Sequence, residues 1–144
     1  MTEKDLRDQL TTAMRAKDAV RMRALRAVLS LVKNRTIEVK SELPEREIAT
    51  LIQREVKQCK ETLDFARQAG RSEQVSEHEE LLRVLEGLLP QALTEAELGD
   101  AIRAIVTEIG ATSLGPIMKS LGEKYAGRYD GKSASELAKS ILAG

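Results

Sequence analysis

Apolar residues recur three and four positions apart along most of the chain, a spacing that places them on one face of an α-helix. Before about residue 93, the positions that share such faces fall into four groups. These groups are Leu6, Leu10, Ala13 and Met14; Leu25, Val28, Leu29, Val32, Thr36 and Val39; Ile48, Leu51, Ile52, Val56, Cys59, Leu63 and Ala66; and Val75, His78, Leu82, Leu85 and Leu89. The pattern therefore predicts four helices in this part of the chain, the second of them strongly amphipathic.

Residues that favour helix starts and stops separate these groups. The predicted N-terminal caps are Thr2 with Asp5, Asp18, Ser41 ahead of Pro44, and Ser72. Gly70 is expected to end the third helix, because glycine readily adopts the left-handed conformation of a helix end. Pro90 is expected to end the fourth, because the residue before a proline avoids the α conformation.

The last third of the chain predicts shorter helices. A capping box at residues 94–97 (TEAE) precedes an apolar stripe that stops at Gly110, Ser113 can cap a second helix up to Gly127, and a box at residues 133–136 (SASE) precedes a third. We therefore expect an all-α protein, with an N-terminal bundle of about four helices at residues 1–93. A small C-terminal module of three short helices is expected at residues 94–144.

Composition supports a folded helical protein. An aromatic content of 2% without tryptophan argues against β-sandwiches and barrels, whose strands favour aromatic and β-branched residues. With Cys59 as the only cysteine, neither an internal disulfide nor a cysteine-based zinc cage can form. The N-terminus lacks the apolar run of a signal peptide, and no stretch is apolar enough to span a membrane. We expect a cytoplasmic location and no membrane partner.

Groups that could carry chemistry are few. Cys59 lies in the apolar stripe of its helix, where a buried thiol has a raised pKa and little nucleophilicity. His78 falls on an inward face, so we expect a histidine hydrogen-bonded within the core or at a domain contact. Its neighbouring glutamates point in other directions, so we expect no metal site. Residues 131–133 (GKS) resemble the end of a phosphate-binding loop, but Ala126 stands where its first glycine is required. The sequence therefore predicts no catalytic centre and no cofactor.

The distribution of charge is uneven although the chain is neutral overall. Residues 1–40 contain ten basic and five acidic residues, whereas residues 61–93 contain three basic and seven acidic ones. A basic helix face formed by Arg23, Arg26 and Lys33, flanked by Arg35, could lie along an RNA backbone, since each phosphate neutralised releases counterions. The same face could instead be simply solvated, or could pair with the acidic fourth helix.

Two further sets of charged residues bear on ligands. A second basic cluster, formed by Lys119, Lys124, Arg128 and Lys132, surrounds the C-terminal glycine turns, where glycine permits close approach of a phosphate. Arg21 lies near the apolar side of its helix, so we expect it to pair with a neighbouring carboxylate.

Several strings, in a shared order and spacing, resemble the GatB/YqeY family. They are residues 13–18 (AMRAKD) followed by Arg21 and residues 25–26 (LR), residues 65–71 (FARQAGR), residues 88–90 (LLP), residues 114–118 (LGPIM) and residues 127–131 (GRYDG). The chain departs from the family pattern at Pro116, where a basic residue is usual, and between Gly110 and Leu114, which is shorter than the common form.

The resemblance implies a fold and a role. The family has an N-terminal helical bundle carrying a smaller helical domain, and includes the tail of the B subunit of tRNA-dependent amidotransferases. That tail is similar to a tRNA-contacting arm, whereas glutamine hydrolysis and amide transfer occur elsewhere in the composite enzyme. A carbon–nitrogen ligase activity with glutamine as amido donor would thus be inherited from that enzyme, and the C-terminal cluster would face the tRNA.

Three hypotheses follow. The first is a non-catalytic helical module that binds tRNA or assists a tRNA-dependent amidation system, with an amidotransferase or other protein as a further partner. The second is an adaptor that docks a protein through an exposed helix groove, with no nucleic acid involved. The third, a glutamine amidotransferase acting alone, requires a nucleophile and an oxyanion site that these residues do not supply.

Overall fold

A computed structural model describes all residues from 1 to 144, and it is all-α as the sequence predicts. The helices are α1 (Glu3–Arg15), α2 (Ala19–Val39), α3 (Glu45–Gln68), α4 (Ser72–Gly87), α5 (Glu95–Ile109), α6 (Leu114–Tyr125) and α7 (Gly131–Ala143). No β-strand is present. Four helices before residue 90, followed by three in the last third of the chain, is the order expected from the apolar spacing.

The chain divides into two compact units, Met1–Leu89 and Pro90–Gly144. The sequence put a domain boundary after residue 93, and that division into two domains stays a prediction. In the first unit, α2 packs against α1, α3 and α4, and α3 packs along α4. The core side chains with at most 1% of their surface exposed include Leu6, Leu25, Val28, Val32, Ile48 and Ile52.

The second unit is a three-helix arrangement in which α5, α6 and α7 all contact one another. Its fully buried centre holds Ile102, Ile117 and Leu121 together with Ala134 and Ala138. Alanine at both inward positions of α7 leaves room for α5 and α6 to approach closely. Within this unit, Arg128 holds the segment before α5 beside the connection between α6 and α7, because its backbone oxygen accepts a hydrogen bond of 2.7 Å from the Leu93 N–H.

Three predicted caps are confirmed by hydrogen bonds. The Asp5 N–H donates to Thr2 Oγ1 at 3.2 Å while the Thr2 N–H donates to Asp5 Oδ2 at 2.9 Å. Thr94 and Glu97 form the same reciprocal pair at 3.1 and 3.2 Å. Asp18 accepts from the Arg21 N–H at 3.1 Å, so it caps α2 as expected. Each cap satisfies backbone N–H groups that have no partner inside the helix.

Other predicted caps are wrong. Ser41 does not cap α3, which begins after Pro44 with no side-chain hydrogen bond at its N-cap. Ser72 is the first residue of α4 and lies inside the helix. Ser133 does not cap α7, because Asp130 precedes it and accepts from the Ser133 N–H at 3.0 Å. Ser113 stands at the N-cap of α6 but makes no capping hydrogen bond.

The apolar faces of α1 and α2 also differ in part from the prediction. Val39 and Met14 were expected to face inward, but 37% and 51% of their surfaces are exposed. Helix α2 buries or half-buries apolar side chains over a broad face, because it contacts three other helices. Its exposed residues share the remaining side, among them Arg23, Arg26 and Lys33.

Candidate functional site

An exposed basic face runs along α2. Arg23, Arg26 and Lys33 are all exposed, and none of them forms an ion pair with a carboxylate of the chain. Along an ideal helix these positions rise by about 4.5 Å and then about 10.5 Å, and they lie within about 80° of one another around the axis. Exposed Ala27 and Ser30 lie between them, so no bulky side chain obstructs the approach of a ligand.

Arg35 does not belong to this face. It points about 120° away from Arg23 around the helix axis. Its guanidinium is also occupied, since Nη1 lies 3.1 Å from Glu38 Oε2. Arg21 forms the expected ion pair, with Nε at 3.6 Å from Asp18 Oδ2. Both arginines therefore have carboxylate partners on or next to their own helix.

The acidic fourth helix does not neutralise the basic face of α2. Glu79 on α4 instead pairs with Arg67 on α3, at 3.3 Å between Oε1 and Nη2. Arg67 is shared with Asp64, at 3.8 Å. The sequence left two interpretations of the basic face that involve no ligand, namely pairing with α4 and simple solvation. The ion pairs do not support pairing with α4, so simple solvation is the alternative to a ligand-binding face.

An open groove adjoins the N-terminal end of the basic face, at the connection between α1 and α2. Its volume is about 470 Å³, and its lining residues are Met14, Lys17, Ala19, Met22, Arg23 and Arg26. Lys17 adopts the left-handed conformation, with φ of 55°, which is uncommon for a residue other than glycine. Sequence reasoning missed this groove, because it assigned Met14 to a buried stripe and gave Lys17 no role.

The C-terminal cluster is only partly available. Lys119 and Lys132 are exposed and without ion pairs, whereas Lys124 Nζ lies 2.7 Å from Glu108 Oε2. The hydrogen bond to Glu108 raises the pKa of Lys124 above its ordinary value. Arg128 donates from Nε to the Gln91 backbone oxygen at 2.9 Å, and its guanidinium lies 5.8 Å from the centre of the Tyr125 ring.

Pro116, where the chain departs from the family pattern, lies in the first turn of α6. A proline is tolerated there because the first N–H groups of a helix have no partner within it. The departure therefore leaves the helix intact, while removing a basic side chain from this end of the second unit.

The two reactive side chains do not form a catalytic pair. Cys59 is 6% exposed, and its Sγ lies 3.5 Å from the backbone oxygen of His78 and not from its ring. Burial raises the pKa of the Cys59 thiol, as the sequence predicts. His78 is half-buried, and its Nδ1 lies 2.8 Å from the Gln74 backbone oxygen one turn earlier. No group of three or more histidine, cysteine or acidic side chains converges as metal ligands would.

The family model described as Yqey-like protein matches residues 3–142. The chain belongs to this family. The Yqey-like match spans both compact units, so the whole helical chain is a module of the type found at the tail of GatB. A search of curated proteins finds no significant match. None of the helices in this Yqey-like protein is both long and apolar enough to cross a membrane.

Proposed function

We propose that this Yqey-like protein is a cytoplasmic, non-catalytic module that binds tRNA through its phosphate backbone, as an accessory to tRNA-dependent amidation. The observation that carries the proposal is the set of three α2 cations without carboxylate partners, Arg23, Arg26 and Lys33. Any carbon–nitrogen ligase activity of such a system would reside in the composite enzyme.

Free cations on a fixed helix favour a polyanion for two reasons. No internal ion pair has to be broken before a phosphate binds, and counterions released from the RNA make binding favourable. Helix α2 carries no acidic residue before Glu38, and the acidic residue that precedes it, Asp18, is its N-cap. The basic face of α2 therefore has no carboxylate beside it that would repel a phosphate, whereas the surface of α4 carries both acidic and basic side chains.

Recognition of backbone and shape suits the composition. Only Phe65, Tyr125 and Tyr129 are aromatic, so the chain lacks the series of stacking platforms that proteins use on single strands. Lys119 and Lys132 would add contacts from the second unit. Lys124, Arg128 and Arg35 would contribute less than the sequence suggested, because each already has an internal partner.

The test is a titration with bulk tRNA at two salt concentrations. Wild-type binding is expected to weaken steeply with salt, by a slope of about 0.7 to 0.9 per phosphate contact. The triple variant Arg23→Glu, Arg26→Glu, Lys33→Glu is expected to lose binding while keeping its helicity. Retained binding by this variant would contradict the proposed α2 interface.

A matched control comes from α3. Arg54, Lys57 and Lys60 are exposed cations without ion pairs, so reversing all three changes the net charge equally. Unlike the α2 face, this side of α3 also carries an acidic residue, Glu61, so the control variant is expected to bind nearly as well as the wild type. Absence of a salt-dependent shift with wild-type protein would instead favour the adaptor hypothesis, for which the open groove beside Met14 offers a docking position.

A further inference from the structure

The groove between α1 and α2 combines apolar and cationic surfaces in a way that the basic face alone does not. Its lining includes two methionines, Met14 and Met22, and three cations, Lys17, Arg23 and Arg26. None of these cations forms an ion pair. The adjacent acidic residue, Asp18, is already engaged as the cap of α2 and as the partner of Arg21. The groove therefore presents positive charge beside uncovered apolar surface.

We infer that this groove holds one unpaired nucleotide of the bound RNA, with its base against Met14 and Met22 and its phosphates on Lys17, Arg23 and Arg26. The inference rests on the proposed function. It adds a distinct element, because the α2 face alone would bind any stretch of RNA backbone, whereas a groove that takes a base requires a nucleotide outside the double helix.

The size of the groove suits this occupant. A volume of about 470 Å³ lies within the roughly 300–1,000 Å³ of sites that hold small organic ligands. Polarizable methionine sulfurs make favourable contacts with aromatic rings, and Met14 and Met22 supply two of them. A base therefore has partners here even though no aromatic side chain lines the groove.

The position of the groove fits a continuous path for the RNA. Arg23 and Arg26 line the groove and also begin the α2 face that continues to Lys33. A nucleotide seated against Met14 would thus have its neighbouring phosphates directed along α2. The left-handed backbone of Lys17 is fixed by hydrogen bonds from the Lys17 N–H to Met14 O and from the Asp18 N–H to Ala13 O, at 3.2 and 3.0 Å.

Two substitutions can each remove one contact that the groove offers to a nucleotide, without disturbing the fold. Met14 is 51% exposed, so Met14→Gln removes the apolar contact from a helix position that tolerates glutamine. Lys17 has φ of 55°, so Lys17→Gly removes the cation and also relieves the strained backbone. The matched control is Ile109→Gln, since Ile109 is 45% exposed at the end of α5 in the other unit.

The experiment compares a fluorescent RNA hairpin that has a blunt end with the same hairpin bearing a single-stranded 3′ overhang. Wild type and Ile109→Gln are expected to bind the overhang RNA about two- to tenfold more tightly than the blunt one. Met14→Gln and Lys17→Gly are expected to lose that preference, while Met14→Gln still binds the blunt hairpin like the wild type.

The outcomes separate the two proposals. Equal wild-type affinity for both hairpins would overturn the nucleotide site and leave backbone binding intact. Weaker binding of Met14→Gln to both hairpins would also overturn it, because the groove would then be part of a duplex interface. If the wild type bound neither hairpin nor tRNA, both the nucleotide site and the proposed function would be rejected.

Discussion

Cys59 on α3 contacts the backbone of His78 on α4, with 3.5 Å between its Sγ and the carbonyl oxygen. The contact directs the thiol toward α4 and away from solvent, between two helices that pack closely along each other. The only cysteine of the chain is thereby a packing residue, and the imidazole that could have activated it is bonded to its own helix.

The buried thiol is expected to be unreactive in the folded protein. Burial raises the pKa of Cys59, so little thiolate forms near neutral pH. Alkylation by iodoacetamide should be far slower in native protein than in urea-unfolded protein, as followed by mass spectrometry. Rapid alkylation of the native protein would contradict a closed contact between α3 and α4.

The same pKa shift has a consequence for stability at alkaline pH. As pH rises through the ordinary thiol pKa, the unfolded chain loses the Cys59 proton first, while the folded chain retains it, so folding becomes less favourable. Cys59→Ala is expected to lower the free energy of unfolding by about 1–2 kcal/mol at neutral pH, because it leaves a small cavity. That difference from the wild type should narrow as pH increases, which urea unfolding at several pH values would measure.

The capping box of α5 is expected to contribute measurably to stability. Thr94→Ala removes the side chain that accepts from the Glu97 N–H, and should lower the free energy of unfolding by about 1 kcal/mol. The control is Thr107→Ala in the same helix, where the hydroxyl donates only to the Arg103 backbone oxygen. A loss as large in the control would show that removal of any threonine hydroxyl from this helix, and not loss of the cap, accounts for the effect.

The contribution of this capping box to stability is expected to decrease at acidic pH. The N–H of Thr94 first, and its side chain second, hold the pKa of Glu97 below its ordinary value. The unfolded chain therefore binds the proton more readily, and this contribution to stability is lost as pH falls through the lowered pKa. In Glu97→Gln, which removes the titrating carboxyl, thermal unfolding should show a weaker dependence on acidic pH than in the wild type.

Two glycines of the second unit should respond to alanine in opposite directions. Gly110 ends α5 with φ of 61°, so Gly110→Ala places a Cβ in the left-handed region and should cost about 1–2 kcal/mol. Gly122 lies inside α6, where a new Cβ would meet the Tyr129 hydroxyl oxygen at an ordinary contact of 3.5 Å. Gly122→Ala should therefore stabilise by about 0.5–1 kcal/mol through its higher helix propensity. Urea unfolding of both variants measures the two changes in the free energy of unfolding. Changes of the same sign would contradict these backbone assignments.

The ion pair between Lys124 and Glu108 predicts how the C-terminal cluster contributes to RNA binding. Glu108→Gln would release Lys124 from its 2.7 Å partner and remove a negative charge beside it. If the second unit contacts phosphate, tRNA binding should tighten and its salt dependence should steepen by up to about 0.9. The control is Asp100→Gln, which releases Arg103, a cation outside both proposed interfaces. If the two variants changed tRNA binding equally, the cause would be the overall charge of the protein and not the release of Lys124.

The sequence by itself determined the helices and three of their caps. Apolar spacing is a local property, and the bonds of Thr2, Asp18 and Thr94 reach only three residues along the chain. At residues 133–136 the predicted cap was wrong because Asp130, three residues before Ser133, caps the helix instead. At Ser72 it was wrong because α4 begins at this serine and has no side-chain cap. The closed environment of Cys59 could also be predicted, because it lies in the middle of a long apolar stripe.

Only the tertiary structure decided which cations are free and where a groove forms. Lys124 pairs with a glutamate sixteen residues away and Arg128 bonds to a carbonyl thirty-seven residues away, and no local pattern specifies such partners. The exposure of Met14 likewise depends on how α1 joins α2. Helical periodicity tells which side chains share a face of one helix, whereas ion pairs and grooves depend on where the next helix lies.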